Sequence, residues 1–385
     1  MAQGTITKFD TDDGVRWRVR VDMVDPETGR RLRPQRTYKT RREAEAGLAH
    51  WRTEIEHGMA VIPSGKTVGE YLEFWLDSSA RHRVRTTTFV SYQRLVRLYI
   101  IPTLGNVSIQ KLSAAQIQAL YSSLLTKGSR DGTSLAPRTV RYVHAILRRA
   151  LKEALALGLV PRNVTEAVSP PKAPRPPIKG WVMLDLRRFM AVAHDDGYSP
   201  LWLLAAHTGM RQGELLGLRW QDIDLDRGVC RVVQAVPTVH NGIEFTPPKT
   251  ASGRRTIALD NTCVVALREH RTRQNERRLA TGAAWQDYDL VIPSTIGTPL
   301  NHSNVYHRFI KLTAEAGLPR IPFHGLRHTH ATLLMQAGVH PKVVSERLGH
   351  ADISLTLSTY SHVLPQMQEE AAAIFDVVMK DVKQG

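Results

Sequence analysis

The chain has 385 residues, 42% of them hydrophobic and 23% charged, too long for one ordinary core and too apolar for a disordered polymer. Its 52 Lys and Arg against 36 Asp and Glu leave a net +16, which favours a polyanionic partner. Two cysteines exclude a disulfide framework, and no apolar run approaches the ~20 residues that span a bilayer, so the expected setting is the cytoplasm, with no membrane partner.

Residues 1–60 read as a small sheet backed by a helix. Val15, Trp17, Val19 and Val21 alternate with Arg16, Arg18 and Arg20, a strand with one apolar and one basic face. A turn near Asp25-Pro26-Glu27-Thr28-Gly29 leads to a second strand around 33–40, and Thr40 caps a helix to about His57. A three-stranded sheet of this kind can lay its strands in a DNA major groove. A charged solvent face is the plainer alternative, and both readings stand. Ser64-Gly65-Lys66-Thr67 ends like a phosphate loop, but Ala60 stands where its first glycine belongs, so it marks a domain junction.

Residues 66–160 hold 14 basic and 5 acidic residues, net +9, whereas 181–385 hold 22 and 20. A generally basic proteome would not concentrate charge so unevenly, so this segment is a candidate phosphate-tracking domain. Four helices are predicted in it. Thr67 caps the first, which carries Val68, Tyr71, Leu72, Trp75 and Leu76. The second covers 87–100 and stops before Pro102. Ser113 caps the third, with Ile117, Leu120, Tyr121 and Leu124 on one face. The fourth runs from about Pro137 to Leu157 and ends at Gly158. Arg81, Arg83, Arg85, Arg94, Arg138, Arg141 and Arg148 lie outside the apolar stripes and, with Arg16, Arg18 and Arg20, are candidate DNA contacts. The prolines of 169–177 make residues 161–180 a semi-rigid linker.

Residues 181–365 mix helix and strand. A helix over 201–207 ends at Thr208-Gly209, and Arg211 opens the next, with Glu214 one turn on. Strands are predicted over 228–235, 243–246 and 254–259, with Lys249 at the tip of the hairpin between the last two. A helix carries His324, Arg327, His328 and His330 to Gly338. A shorter one runs from Pro341 to Leu348-Gly349-His350, and Tyr360 follows. The three close histidines invite a metal, but Arg327 among them would repel a cation and no His-Glu-x-x-His pattern occurs, so none is expected. Residues 366–385 form an amphipathic tail, with Met367, Ala371, Ile374, Phe375 and Val378 at helical spacing, free to dock on a neighbouring subunit or on its own domain.

Taken in order, Thr208-Gly-Met-Arg-Gln-Gly-Glu214, the hairpin Lys249, His324-x-x-Arg327, Leu348-Gly-His350 and Thr359-Tyr360 resemble the tyrosine recombinases, or phage integrases. Val68-x-x-Tyr-Leu-x-x-Trp-Leu76 looks like the start of that family's core-binding domain, and the N-terminal sheet is similar to the arm-binding domains of some integrases. The resemblance implies a multidomain fold: a small three-stranded β-sheet plus helix, an all-α core-binding bundle and a mixed, mainly-α α+β catalytic domain. It implies a site-specific recombinase that cleaves and rejoins DNA through a covalent 3′-phosphotyrosine, integrating or excising a phage or other mobile element. Four protomers would act on two double-stranded attachment sites through a four-way Holliday junction, with a directionality factor as a candidate partner.

Within that resemblance Tyr360 is the nucleophile and Arg211 and Arg327 clamp the phosphate, since forked, permanently charged donors suit its non-bridging oxygens. His324 lies one turn before Arg327, within reach of the phenol. His350 bonds the phosphate or the attacking oxygen, Lys249 protonates the leaving 5′-hydroxyl, and Glu214 orients these groups. The phosphotyrosine conserves the bond energy, so no cofactor, neither ATP nor magnesium, is expected. The alternatives are a topoisomerase that only relaxes DNA, or a catalytically silent DNA-binding regulator, which would not need the intact residue set.

Overall fold

The computed structural model describes residues 4–12, 14–24, 31–56, 65–128, 132–174, 180–238, 243–248, 250–354, 357, 372, 375 and 376. The chain divides into two compact units, residues 1–175 and 176–385.

In the first unit β1 (Gly4–Thr11) pairs antiparallel with β2 (Gly14–Val21), whose other edge takes β3 (Gln35–Tyr38). The two-residue strand period turns Val19 and Val21 onto Ala44, Leu48 and Trp51 of α1 (Arg41–Glu56) and leaves Arg16, Arg18 and Arg20 on the opposite face. Thr40 Oγ1 accepts the Glu43 N–H (3.2 Å), and Glu43 Oε2 accepts the Thr40 N–H (3.2 Å), a reciprocal cap that fixes where α1 begins. The expected turn at 25–29 and His57 lie outside the described residues.

A separate core gathers the helices that follow. α2 (Val68–Trp75) starts at a Thr67–Glu70 capping box and continues through a π-turn, Leu76–Ala80, into Arg81–Arg83. α3 (Thr86–Leu95) likewise runs on through a π-turn, Val96–Ile100, into Ile101–Leu104. This corrects the expected stop before Pro102. The Ile101 N–H already bonds five residues back, to Val96 O, and Pro102 falls in the first turn of the resumed helix, where a missing N–H costs little. α4 (Ala114–Lys127) opens on a Ser113–Gln116 capping box, and α5 (Pro137–Ala156) is the longest of the bundle. Trp75, Val96, Ile100, Ile117, Leu120, Ile146 and Leu147 interlock, and Tyr71 Oη donates to Ala150 O at 2.7 Å. The linker expected from 161 begins later. Val160 and Val168 belong to this core, Asn163 and Thr165 are buried, and Asn163 Nδ2 donates to Arg148 O (3.1 Å), so the bundle extends to Val168.

The second unit contains α6 (Met183–Ala193), α7 (Ser199–Thr208), α8 (Gln212–Leu216), α9 (Asn261–Thr281), α10 (His302–Glu315), α11 (His324–Gln336) and α12 (Pro341–Leu348). Its centre is aromatic: Trp181, Phe189, Trp202, Phe309 and Phe323 meet with centroids 5.1–6.1 Å apart, and most residues of α7 are buried. An antiparallel sheet has the order β4 (Ile223–Asp224), β5 (Val229–Val232), β6 (Arg255–Ala258). The strand expected over 243–246 is not part of it and contributes one bridge, Ala235 to Thr246. Pro237, Pro247 and Pro248 lack the N–H groups a ladder needs, so β5 pairs with β6 directly and position 249 belongs to the excursion between them. Among the described residues no helix is long and apolar enough to cross a membrane.

Candidate active site

The site grows from the end of α7. Thr208 Oγ1 donates to Leu204 O (2.5 Å) and accepts the Met210 N–H (3.3 Å), closing the helix. Gly209 then takes a left-handed conformation (φ 63°), and the chain reverses so that Arg211 caps α8 in extended backbone rather than forming its first turn. Glu214 is buried and holds Arg211 twice: Oε2 accepts the Arg211 N–H (3.0 Å) and Oε1 accepts Nη1 (2.7 Å). Burial alone would raise the Glu214 pKa; the bond and charge of Arg255, with those of Arg211, outweigh it and hold the carboxyl below its usual range.

Arg327 approaches the same turn from α11. It is 2% exposed, and its Nη1 donates to Gly209 O (2.9 Å) and its Nη2 to Leu348 O (2.6 Å). The two guanidiniums therefore converge through backbone carbonyls at the ends of α7 and α12. Arg211 Nη2 also reaches Gly349 O (3.5 Å). Gly349 is left-handed (φ 68°), and a Cβ there would lie 2.8 Å from Ser252 O, so this turn packs against the excursion carrying position 249.

Two imidazoles complete the cluster. Burial, then the charges of Arg327 and Arg211, pushes His350 down to about 4, so it is neutral near pH 7. His324 is pushed the same way by burial and then by His328, Arg327 and Arg211, although its surface stays exposed and water screens part of the effect. His324 and His328 meet edge to face at 4.8 Å. The structure thus brings together Arg211, Glu214, His324, Arg327 and His350, while Lys249 and Tyr360 lie outside the described residues. Two forked cations beside two neutral imidazoles can donate to the oxygens of an anion such as a phosphodiester, and the imidazoles can accept protons.

Sequence reasoning missed the layer beneath. Arg255 Nη2 donates to Glu214 Oε2 (2.9 Å), its Nε to Arg347 O (2.7 Å) and its Nη1 to Gly253 O (3.1 Å). Arg347 donates to His330 Nε2 (3.1 Å), Ala258 O (3.1 Å) and His207 O (2.9 Å). A signal did exist: in strand phase Arg255 shares the face of Ile257, which is buried, so an arginine stands on an apolar face. His330 Nδ1 lies 2.9 Å from Ala206 O and must carry the proton, leaving Nε2 for Arg347. Both its nitrogens are thus occupied, which removes it from any shared metal set with His324 and His328. Among the described residues one group could converge on an ion, His207, Asp260 and Cys263, and there the His207 Nδ1–Asp260 Oδ2 contact is already closed at 2.7 Å.

The candidate DNA contacts differ in freedom. Arg94, Arg138 and Arg141 are exposed and form no ion pair among the described residues. Arg81 pairs with Asp77 (3.1 Å), Arg83 with Glu153 (3.3 Å) and Arg148 with Glu166 (3.8 Å), while Arg85 occupies the N-cap position of α3 with no side-chain cap bond. On the sheet, Arg18 stacks over Phe9 (4.1 Å) and Arg20 donates to Gln35 (3.4 Å), with Arg16 beside them.

Residues 186–367 match the model of the phage integrase family, and residues 67–125 that of the phage integrase N-terminal SAM-like domain. Over 375 residues the chain is 30% identical to the tyrosine recombinase XerC-like protein of Caldanaerobacter subterraneus subsp. tengcongensis, covering 92% of this chain and 94% of that one. The solved Tn1549 transposon integrase in complex with transposon right end DNA matches with a TM-score of 0.65 and 21% identity, over 80% of this chain and 99% of the other. A lambda integrase tetramer bound to a Holliday junction matches with a TM-score of 0.55 and 18% identity, over 90% and 95%. At such identities these structures report a shared fold.

Proposed function

Because the chain belongs to the tyrosine recombinase family of phage integrases, we propose that Tyr360 is its nucleophile and that Arg211, Lys249, His324, Arg327 and His350 assist it, with Glu214 in support. The protein is a site-specific DNA recombinase, an enzyme of strand breakage and rejoining. The observation that carries the residue assignment is the convergence of Arg211 and Arg327 on the Leu348–Gly349 turn, flanked by neutral His324 and His350.

In the cleavage step the Tyr360 phenol oxygen bonds the phosphorus as the bond to O5′ breaks. The phenol proton passes to His324, and O5′ takes a proton from the Lys249 ammonium. Arg211 and Arg327 donate to the non-bridging oxygens, where charge accumulates, and Glu214 holds Arg211 at the correct angle. Burial first, and then the charges around it, hold the His324 pKa down; arrival of the phosphate offsets the charge part, so its basicity rises when it is needed. Attack of a 5′-hydroxyl on the phosphotyrosine reverses every transfer, and the scheme draws on neither ATP nor a metal.

The partner is double-stranded DNA carrying attachment sites. Residues 66–160, with net +9, grip the core site, and residues 1–60 present Arg16, Arg18 and Arg20 to a second, arm-type site. Residues 181–365 form the catalytic domain and 366–385 a docking tail. Four protomers assemble on a Holliday junction, as in the lambda integrase tetramer, and the reaction integrates or excises a mobile element in the cytoplasm, directed by an excision factor. Incubating a supercoiled plasmid bearing one attachment site with a linear fragment bearing the other tests this reading. The wild type yields recombinants in EDTA and Tyr360→Phe yields none; relaxed plasmid without recombinants would leave only topoisomerase activity.

A further inference from the structure

In the proposed step Lys249 must deliver a proton at one point in space, yet the excursion in which its position falls has three prolines and, among the described residues, only the Ala235–Thr246 bridge. Both its chain neighbours are tied to a single residue. Gly253 donates its N–H to Thr250 O (2.9 Å), and it packs so closely on Pro248 that a Cβ there would lie 2.5 Å from Pro248 Cβ. Gly253 is held in turn by Arg255, whose Nη1 donates to its carbonyl (3.1 Å). The other two arms of the same guanidinium reach Glu214, the partner of Arg211, and Arg347 O, two residues before Gly349. The side chain of Arg255 is only 6% exposed, so this fork is shielded from water.

We propose that Arg255 is a positioning residue for proton delivery: through Gly253 it holds Pro248 and Thr250, the residues on either side of Lys249, in register with the arginine clamp. The inference rests on the role proposed for Lys249. As the Tyr360 oxygen bonds phosphorus and the bond to O5′ breaks, the oxygen takes its proton from Lys249, which is left a neutral amine until rejoining returns it. A displaced Lys249 slows that transfer while binding and the phosphate clamp persist. Arg255→Lys keeps the charge beside Glu214 but lacks the planar fork that serves three acceptors. Gly253→Ala disturbs the same strut from the Pro248 side without touching Glu214.

The test is single-turnover cleavage of a suicide attachment site made twice, with oxygen or with sulfur at the bridging 5′ position. A thiolate, whose acid has a pKa of about 8.5, departs without a proton donor. On the oxygen site, Arg255→Lys, Gly253→Ala and the benchmark Lys249→Ala are each slowed at least about tenfold, and Lys249→Ala by about the 10²–10⁴-fold that general acids contribute. On the sulfur site all three return close to the wild-type rate, with DNA affinity unchanged throughout. If Lys249→Ala is rescued by sulfur but Arg255→Lys and Gly253→Ala are not, the inference fails alone. If wild type forms no adduct, or sulfur does not rescue Lys249→Ala, the proposed function of Lys249 or of the site fails first and takes the inference with it.

Discussion

His330 has no role in the bond-breaking scheme, yet it reports on the site from beneath. Burial, then the charge of Arg347, pushes its pKa down to about 4 from an ordinary 6.5. Between these values the unfolded chain binds a proton that the folded chain refuses. The stabilisation is therefore complete above pH 6.5 and is lost as the pH falls toward 4. We expect the melting temperature to drop across that window, and the drop to be shallower in His330→Gln; an equal slope in both proteins would place the sensitivity elsewhere. Such residues separate what sequence makes legible from what it hides. Arg211 and Glu214 could be read because both stand in one short stretch, 208–214, that carries the family resemblance. Arg347 could not, because His207 and Ala258 come to it from distant parts of the chain.

At the level of elements, turns between helices do the aligning. Gly209 ends α7, sits in the left-handed region and gives its carbonyl to Arg327, and a Cβ there would come within 2.8 Å of both His330 and Leu348. Left-handed backbone alone costs a side chain roughly 1–2 kcal/mol. Gly209→Ala should lose at least about that in urea unfolding, and cleavage should fall further than stability explains because the Gly209 carbonyl that accepts from Arg327 moves. An unchanged midpoint would mean that the turn relaxes freely. Gly209 directly after Thr208 at the end of an apolar helix announced this turn in the sequence. The excursion after β5 was harder to read, since the apolar alternation of 243–246 says nothing about its partner and three prolines deny it a ladder. The passage of α3 through Pro102 was hidden for a similar reason: the π-turn that makes room for the proline leaves no compositional mark.

For the whole molecule, charge and chemistry are divided. The bundle segment carries net +9 and the residues from 181 onward only +2, so DNA affinity and catalysis should respond to different substitutions. Replacing the exposed Arg94, Arg138 and Arg141 with Gln should weaken DNA binding on all sequences and reduce the dependence of log K on log salt by up to about 0.9 for each phosphate that is no longer neutralised. The cleavage rate of saturated complexes should stay near wild type. A slope that does not change would remove these side chains from the phosphate path. The claim on which everything else depends is the identity of the nucleophile, and one measurement reaches it directly. A suicide attachment site is trapped by the protein in EDTA, the adduct is digested, and the linked peptide and DNA end are identified by mass spectrometry. The expected product has a 3′-phosphate on the phenol oxygen of Tyr360 and a free 5′-hydroxyl on the other fragment; a link at any other residue, or through a 5′-phosphate, would rule out Tyr360 as the nucleophile.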